Sequence, residues 1–205
     1  MPINLIFEIL QNISIVIASF VAIYGINSWR TEMVWKRKYE LAEEVLSLFY
    51  EARDSIEIIR SPYGNTGEGK TRKRKENETE EQSEILDRAY VIYERYEKVK
   101  TTFTKLKSLK YRFMAIFGQD KGLPFDNLTK ILTKLFFASY KLETYWNDQV
   151  RRKLTDEQFQ KHIDKIEKFK ETIWSGYGEP DQINDEINKI VDNIEKICKT
   201  IIEKK

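Results

Sequence analysis

Eight consecutive residues, Gly64-Asn65-Thr66-Gly67-Glu68-Gly69-Lys70-Thr71, match the spacing of a phosphate-binding loop. In such a loop the glycines let backbone N–H groups approach phosphate oxygens, the lysine reaches the outer phosphates and the threonine hydroxyl holds magnesium. That chemistry needs a buried strand before the loop and an apolar helix directly after it. Here a helical pattern runs up to Ser61-Pro62, and the charged run Arg72 to Glu76 follows, with no apolar face to pack under a sheet. The match is read as coincidental, and nucleotide binding through residues 64–71 stands as an alternative resting on Lys70 and Thr71.

The other reactive side chains are few. The single histidine, His162, lacks a Glu three residues before it, so the carboxylate-bridged metal pattern is missing, and it is expected on the surface of a charged helix. Cys198 stands alone beside a run of isoleucines and reads as a small buried hydrophobe. There is no Gly-x-Ser-x-Gly elbow and no zinc-ligand spacing. One constellation remains: Arg53, Asp54 and Arg60, then Glu94, Arg95 and Arg112, near Phe49, Tyr50, Tyr93, Tyr96 and Phe113. Arginines among aromatic rings form either an anion pocket, here around Arg53, Arg60 and Arg95, or ion pairs that tie helices together. The second arrangement is the commoner. No catalytic residue, cofactor or metal is expected, and the chain is read as non-enzymatic.

The elements that carry these residues follow from one stretch. Residues 9–29 contain no Asp, Glu, Lys or Arg, and as a helix they would measure roughly 31 Å, near the hydrocarbon thickness of a bilayer. Their centre is apolar on all sides, whereas a buried helix of a soluble protein keeps a polar stripe. The start of the chain is not cationic and Tyr24-Gly25-Ile26-Asn27 is a poor cleavage site, so the span is expected to be retained. Arg30, Lys36, Arg37 and Lys38 follow it, which predicts the amino terminus outside and residues 30–205 in the cytoplasm. Glu8, Gln11 and Asn12 recur at helical spacing, with Asn4 before them; they suit either association of spans, even around a narrow pore, or the headgroup region.

Composition agrees with long helices. Glycine and proline are scarce, at 8 and 4 of 205 residues, while charged residues make up 33%, so outer helical faces are expected to be ion-paired. A net charge of +2 gives no general case for nucleic acid as a partner. One cysteine fits a reducing compartment, and the sequons at Asn77 and Asn127 then carry no weight.

Apolar spacings of three and four define the faces after the span. The first helix continues to Ser61 through Val34, Leu41, Val45, Leu48, Ala52, Ile56 and Ile59, and with the span forms one candidate rod. Trp29 and Trp35 bracket the membrane exit, although Trp35 suits a core as well. Residues 61–82, with three glycines and a run of charge, read as a mobile connection. The second helix covers about 83–117 and carries Lys98, Lys100, Lys105, Lys107, Lys110 and Arg112 with no acidic residue among them. This basic face meets an anionic lipid surface or an acidic partner, or else pairs with Asp181, Asp185, Glu186, Asp192 and Glu195. After a break at 118–126, Asp126 is expected to cap a third helix faced by Leu128, Ile131, Leu132, Leu135, Ser139, Leu142, Trp146 and Val150. Thr155 with Gln158 forms a capping box for a fourth, faced by Phe159, Ile163, Ile166 and Ile173. In the last, Ile183, Ile187, Ile190, Ile194, Ile197 and Ile201 form a heptad seam, which packs either in the domain or in an oligomer.

The segments Glu40-Leu41-Ala42-Glu43-Glu44-Val45-Leu46, Phe49-Tyr50-Glu51-Ala52-Arg53-Asp54, Ile59-Arg60-Ser61-Pro62, Tyr93-Glu94-Arg95-Tyr96, Arg112-Phe113 with Phe117-Gly118, and Ile194-Glu195-Lys196-Ile197-Cys198 carry a resemblance. In their order the chain resembles a group of uncharacterised bacterial inner-membrane proteins with one amino-terminal span and a helical cytoplasmic domain. The resemblance implies fold and location and brings no activity.

The expectation is an all-α protein: a transmembrane helix at 1–29, then a cytoplasmic antiparallel bundle of long helices at 30–205. Its expected role is that of a membrane-anchored interaction or sensing module, with membrane lipid and a protein partner or a second copy as its contacts. The alternative is a membrane effector of a bacterial defence or toxin system, whose domain oligomerises and gathers the spans into a leak.

Overall fold

The computed structural model describes residues 3–76, 78–151 and 154–203, leaving aside the side chains of residues 4–6 and 146–151. Asn4, Asn77, Trp146 and Val150, named above, lie outside what is described. The regular structure is entirely helical, with no strand among the described residues.

Helix α1 (Ile3–Arg60) runs unbroken for 58 residues, about 87 Å at 1.5 Å per residue. Its two parts have opposite surroundings. Up to Glu40 almost every described side chain is exposed, and from Leu41 the stripe Leu41, Val45, Leu48, Ala52, Ile56 and Ile59 is buried. Val34, expected on that stripe, is 55% exposed because no other element covers this part of the rod. Trp35 is exposed too and packs its ring against Tyr39 one turn on, which removes the core alternative for it.

Helix α2 (Glu80–Phe117) opens with a capping box in which Thr79 and Gln82 satisfy each other's backbone N–H. It closes at Gly118, whose φ of +113° suits a residue without a Cβ. A short 3-10 turn (Gln119–Gly122) leads into α3 (Leu123–Arg151). The third helix therefore begins three residues before Asp126: Pro124 lies in the first turn, where its missing N–H costs nothing.

Helix α4 (Asp156–Ile173) starts from the Thr155–Gln158 capping box as expected. Its inner face is turned from the expected one. Phe159 is 45% exposed, and His162, Ile166, Phe169 and Ile173 form the covered stripe. Helix α5 (Gln182–Ile202) is capped by the Asp181 carboxylate, which accepts from the Asn184 N–H at 3.1 Å. Ile183, Ile187, Ile190 and Ile194 are buried against the chain's own core, with Ile197 and Ile201 at its edge. The isoleucine seam is thus spent inside the domain, where α5 packs on α1 and α3.

The core draws on all five helices, with α1 meeting α2 and α5, and α3 meeting α2, α4 and α5. Phe49 of α1 sets its ring edge-on against Phe125 of α3 at 5.0 Å, and Phe113 of α2 closes on the same ring at 5.5 Å. Each fully buried side chain of this size contributes about 1.5–3 kcal/mol, and these shared contacts fix the helices relative to one another.

Candidate functional site

The loop between α1 and α2 is bound to α2 by polar contacts at almost every turn. Its apolar content is low, which is why sequence reading leaves it mobile, but its charges find buried partners. Arg72 donates to Glu78 at 2.5 Å and to Asp87 at 3.1 Å, Arg74 reaches the other Asp87 oxygen at 2.8 Å, and Ser83 also bonds Glu78. The Arg72 guanidinium beside Glu78 holds that carboxyl down at about 2. Gly69 is pressed so closely on α2 that a Cβ there would stand 2.0 Å from the Asp87 carbonyl oxygen.

This geometry bears directly on the phosphate-loop spacing. The Gly69 N–H donates to Glu94 at 2.7 Å, the Thr71 N–H at 2.9 Å, and the Thr71 hydroxyl binds the same carboxylate. Burial raises the Glu94 pKa, but these donors outweigh it and the net shift is downward. The backbone donors that would cradle a phosphate already hold an internal anion. Lys70 points to solvent, and the loop lies between two helices with no strand before it.

The arginine constellation does not form one pocket. Arg60 is fully buried at the end of α1; its guanidinium pairs with Asp181 at 3.0 Å, bonds Asn184 at 2.7 Å, and donates to the carbonyls of Glu171 and Thr172, each at 3.1 Å, and of Trp174. It closes the carbonyl end of α4 and locks it to the start of α5. Arg95 does the same for α1, donating to the carbonyls of Ile59, Ser61 and Tyr63 and pairing with Glu68 at 2.7 Å. Arg95 holds the Glu68 carboxyl below its ordinary value. Arg53 is elsewhere, on the surface beside Asp54 and Tyr50. Arg60 and Arg95 are helix-end ties with their donors in use, so the ion-pair alternative holds for them.

The basic run of α2 divides in two. Lys98 approaches Glu68 at 4.0 Å, Lys100 pairs with Glu97 and Lys110 with Asp126. Lys105, Lys107 and Arg112 are exposed and have no ion pair among the described residues. The acidic residues of α5 do not reach this run: Asp181 serves Arg60, Glu186 serves Lys134 at 2.6 Å, and Glu195 serves Lys199. Beside the run, between α2 and α3, lies a groove of about 600 Å³ with Tyr96, Phe103, Leu132 and Phe136 on its floor and Lys107, Lys110 and Tyr111 at its rim.

Glu8, Gln11 and Asn12 are exposed on one side of α1. Within the apolar stretch the Ser14 and Ser19 hydroxyls turn back to the carbonyls of Leu10 and Ile15, both at 2.8 Å, so they ask nothing of the surroundings.

His162 is buried, contrary to expectation, with its ring 5.3 Å from Tyr145 and its Nε2 without a hydrogen-bond partner. The apolar periodicity of α4 passes through position 162, and counting histidine as polar hid it. Cys198 is fully buried, and burial alone pushes its thiol up to about 12. No group of three or more His, Cys, Asp or Glu among the described residues is arranged to hold a metal ion.

One cleft joins residues from two separate sequence features, the 64–71 match and the arginine constellation, with others that neither includes. At the end of α1, a hollow of about 560 Å³ is lined by Pro62, Gly64, Asn65, Thr66 and Glu68 of the loop, by Arg88, Val91 and Arg95 of α2, and by Lys170, Trp174 and Tyr177 at and after the end of α4. Its contributors come from three separate parts of the chain, and no local spacing announces them. A scan of protein-family models finds no family that matches this chain, and neither the curated proteins nor the solved structures provide a match.

Proposed function

We propose that the protein is anchored in a membrane by the first part of α1 and that its helical domain, an antiparallel bundle on the cytoplasmic side, is a non-catalytic interaction or sensing module. The observation that carries this reading is the division of one helix. Its first part exposes a continuous apolar surface that nothing among the described residues covers, and its last part is buried in the core. Exposing Ile13, Val16, Phe20, Ile23 and Ile26 to water would forfeit the burial term of each side chain, whereas lipid accepts them without loss. The resemblance in segment order supports a bacterial inner membrane, and the cations after Trp29 support an outer amino terminus. The exposed residues 30–40 would hold the domain about 16 Å from the bilayer.

The partner surface of this reading is the part of α2 bearing Lys105, Lys107 and Arg112. Unpaired cations beside an apolar groove suit an acidic, amphipathic protein segment. A photo-crosslinking residue placed at Lys107 in the full chain, in native membranes, should give a discrete protein adduct that the same probe at Lys161 does not. Equal labelling from both positions would refute the assignment of this face.

The effector reading rests on Glu8, Gln11 and Asn12, which share one side of the rod and have no hydrogen bond or ion pair among the described residues. Its test is potassium leakage from cells expressing the chain. Unchanged leakage after Glu8→Leu with Gln11→Leu, where the wild type leaks, would dismiss it. Nucleotide binding through 64–71 is the weakest of the three, since Glu94 occupies the donors it needs.

A further inference from the structure

The cleft at the end of α1 stands independently of the membrane reading and does not use Lys70 or Thr71. Its volume, about 560 Å³, lies within the range of small-molecule sites. The charges that face it do not cancel. Arg95 and Glu68 neutralise each other at 2.7 Å, and Arg95 is committed to loop carbonyls. Arg88 is left, exposed and with no hydrogen bond or ion pair among the described residues, together with Lys170, which gives one of its three donors to Glu167 at 2.8 Å. Two aromatic rings stand beside these cations. Trp174 is half-buried and Tyr177 is 54% exposed, with the Lys170 ammonium 6.0 Å from the Tyr177 ring.

Two under-used cations, the exposed Tyr177 ring and the half-buried Trp174 ring, which the Arg95 guanidinium faces at 5.7 Å, stand in one concave site and call for a ligand that is anionic at one end and planar at the other. We infer that this cleft binds a nucleotide-sized organic phosphate, with its phosphate at Arg88 and Lys170 and its ring against Trp174 and Tyr177. The cleft shares Gly64, Asn65, Thr66 and Glu68 with the 64–71 match, but the two residues that would do its chemistry, Lys70 and Thr71, are not among the lining residues. A bound ligand would bridge the loop after α1, the middle of α2 and the end of α4, and would stabilise the domain by mass action.

The test is calorimetric titration of the full chain in detergent with ADP, adenosine and inorganic phosphate as probes, without metal. ADP is expected to bind, with adenosine and phosphate each at least about tenfold weaker because each offers one half of the recognition. Arg88→Glu and Lys170→Glu should each weaken ADP about tenfold or more, and Tyr177→Ala about fivefold, with circular dichroism spectra unchanged. Lys70→Ala should leave the affinity as it was. Absence of ADP binding at millimolar concentration, phosphate binding as tightly as ADP, ADP affinity indifferent to Arg88→Glu, or affinity lost in Lys70→Ala would each overturn the inference.

Discussion

Replacing Arg60 by methionine tests how this domain is held together. The guanidinium is fully buried and ties three elements: the end of α1 that carries it, the last carbonyls of α4, and Asp181 with Asn184 at the start of α5. Breaking a buried pair from one side costs about 3–5 kcal/mol. Asp181 keeps the Asn184 and Gly176 N–H groups and the Ser175 hydroxyl, which argues for the lower end, while three carbonyls lose a donor, which argues for the upper. About 4 kcal/mol is a fair centre, and a domain of this size loses roughly 2–4 °C in melting temperature per kcal/mol, so a fall of about 8–16 °C is expected. Far-UV circular dichroism melts of the full chain in detergent measure it. Asp181→Asn should be destabilising as well, and the double variant should lose clearly less than the sum of the two. If Arg60 instead belonged to an anion pocket with Arg53 and Arg95, its removal would relieve repulsion between like charges. An unchanged or raised melting temperature in Arg60→Met would refute the tie.

Three other outcomes are expected. Glu78 has a folded pKa depressed from 4.5 to about 2, so it contributes stability that is present above 4.5 and lost as the pH falls toward 2; the difference in melting temperature between wild type and Glu78→Gln should shrink across that window. Gly69→Ala places a Cβ against the Asp87 carbonyl at a φ of +85°, so trypsin should cut at Lys73 and Lys75 several-fold faster, whereas Gly67→Ala, which meets open space at a φ of +98°, should change cutting much less. Cys198, with its thiol pushed up to about 12, should resist a thiol-reactive dye at about pH 8 in the native chain and react at once when guanidinium unfolds it.

Helix content and helix faces were legible because they are local. The spacings Leu41-Val45-Leu48-Ala52 and Ile183-Ile187-Ile190-Ile194 name their buried sides without tertiary information, and both sides are buried. What the spacing of α5 lacked was the address of its partner, since an isoleucine seam looks the same whether it meets α1 and α3 or another copy. Pro124, Phe159 and His162 differ from expectation because position in the first turn decides for the proline and phase around α4 decides for the other two. Residues 61–82 read as a mobile connection from their glycines, charge and low apolar content, while the contacts they make, Arg72 with Glu78 and Asp87 and Arg95 with Glu68 27 residues away, have no local signature. The Arg88–Lys170 cleft joins positions still farther apart, and only the packed chain brings them together.

The most direct measurement of the membrane reading is alkaline carbonate extraction of membranes from cells expressing the full chain, beside a chain that begins at Thr31. The full chain is expected to stay in the sedimented bilayer and the shortened one in the supernatant. A full chain washed off by carbonate would contradict the anchoring of α1 in lipid.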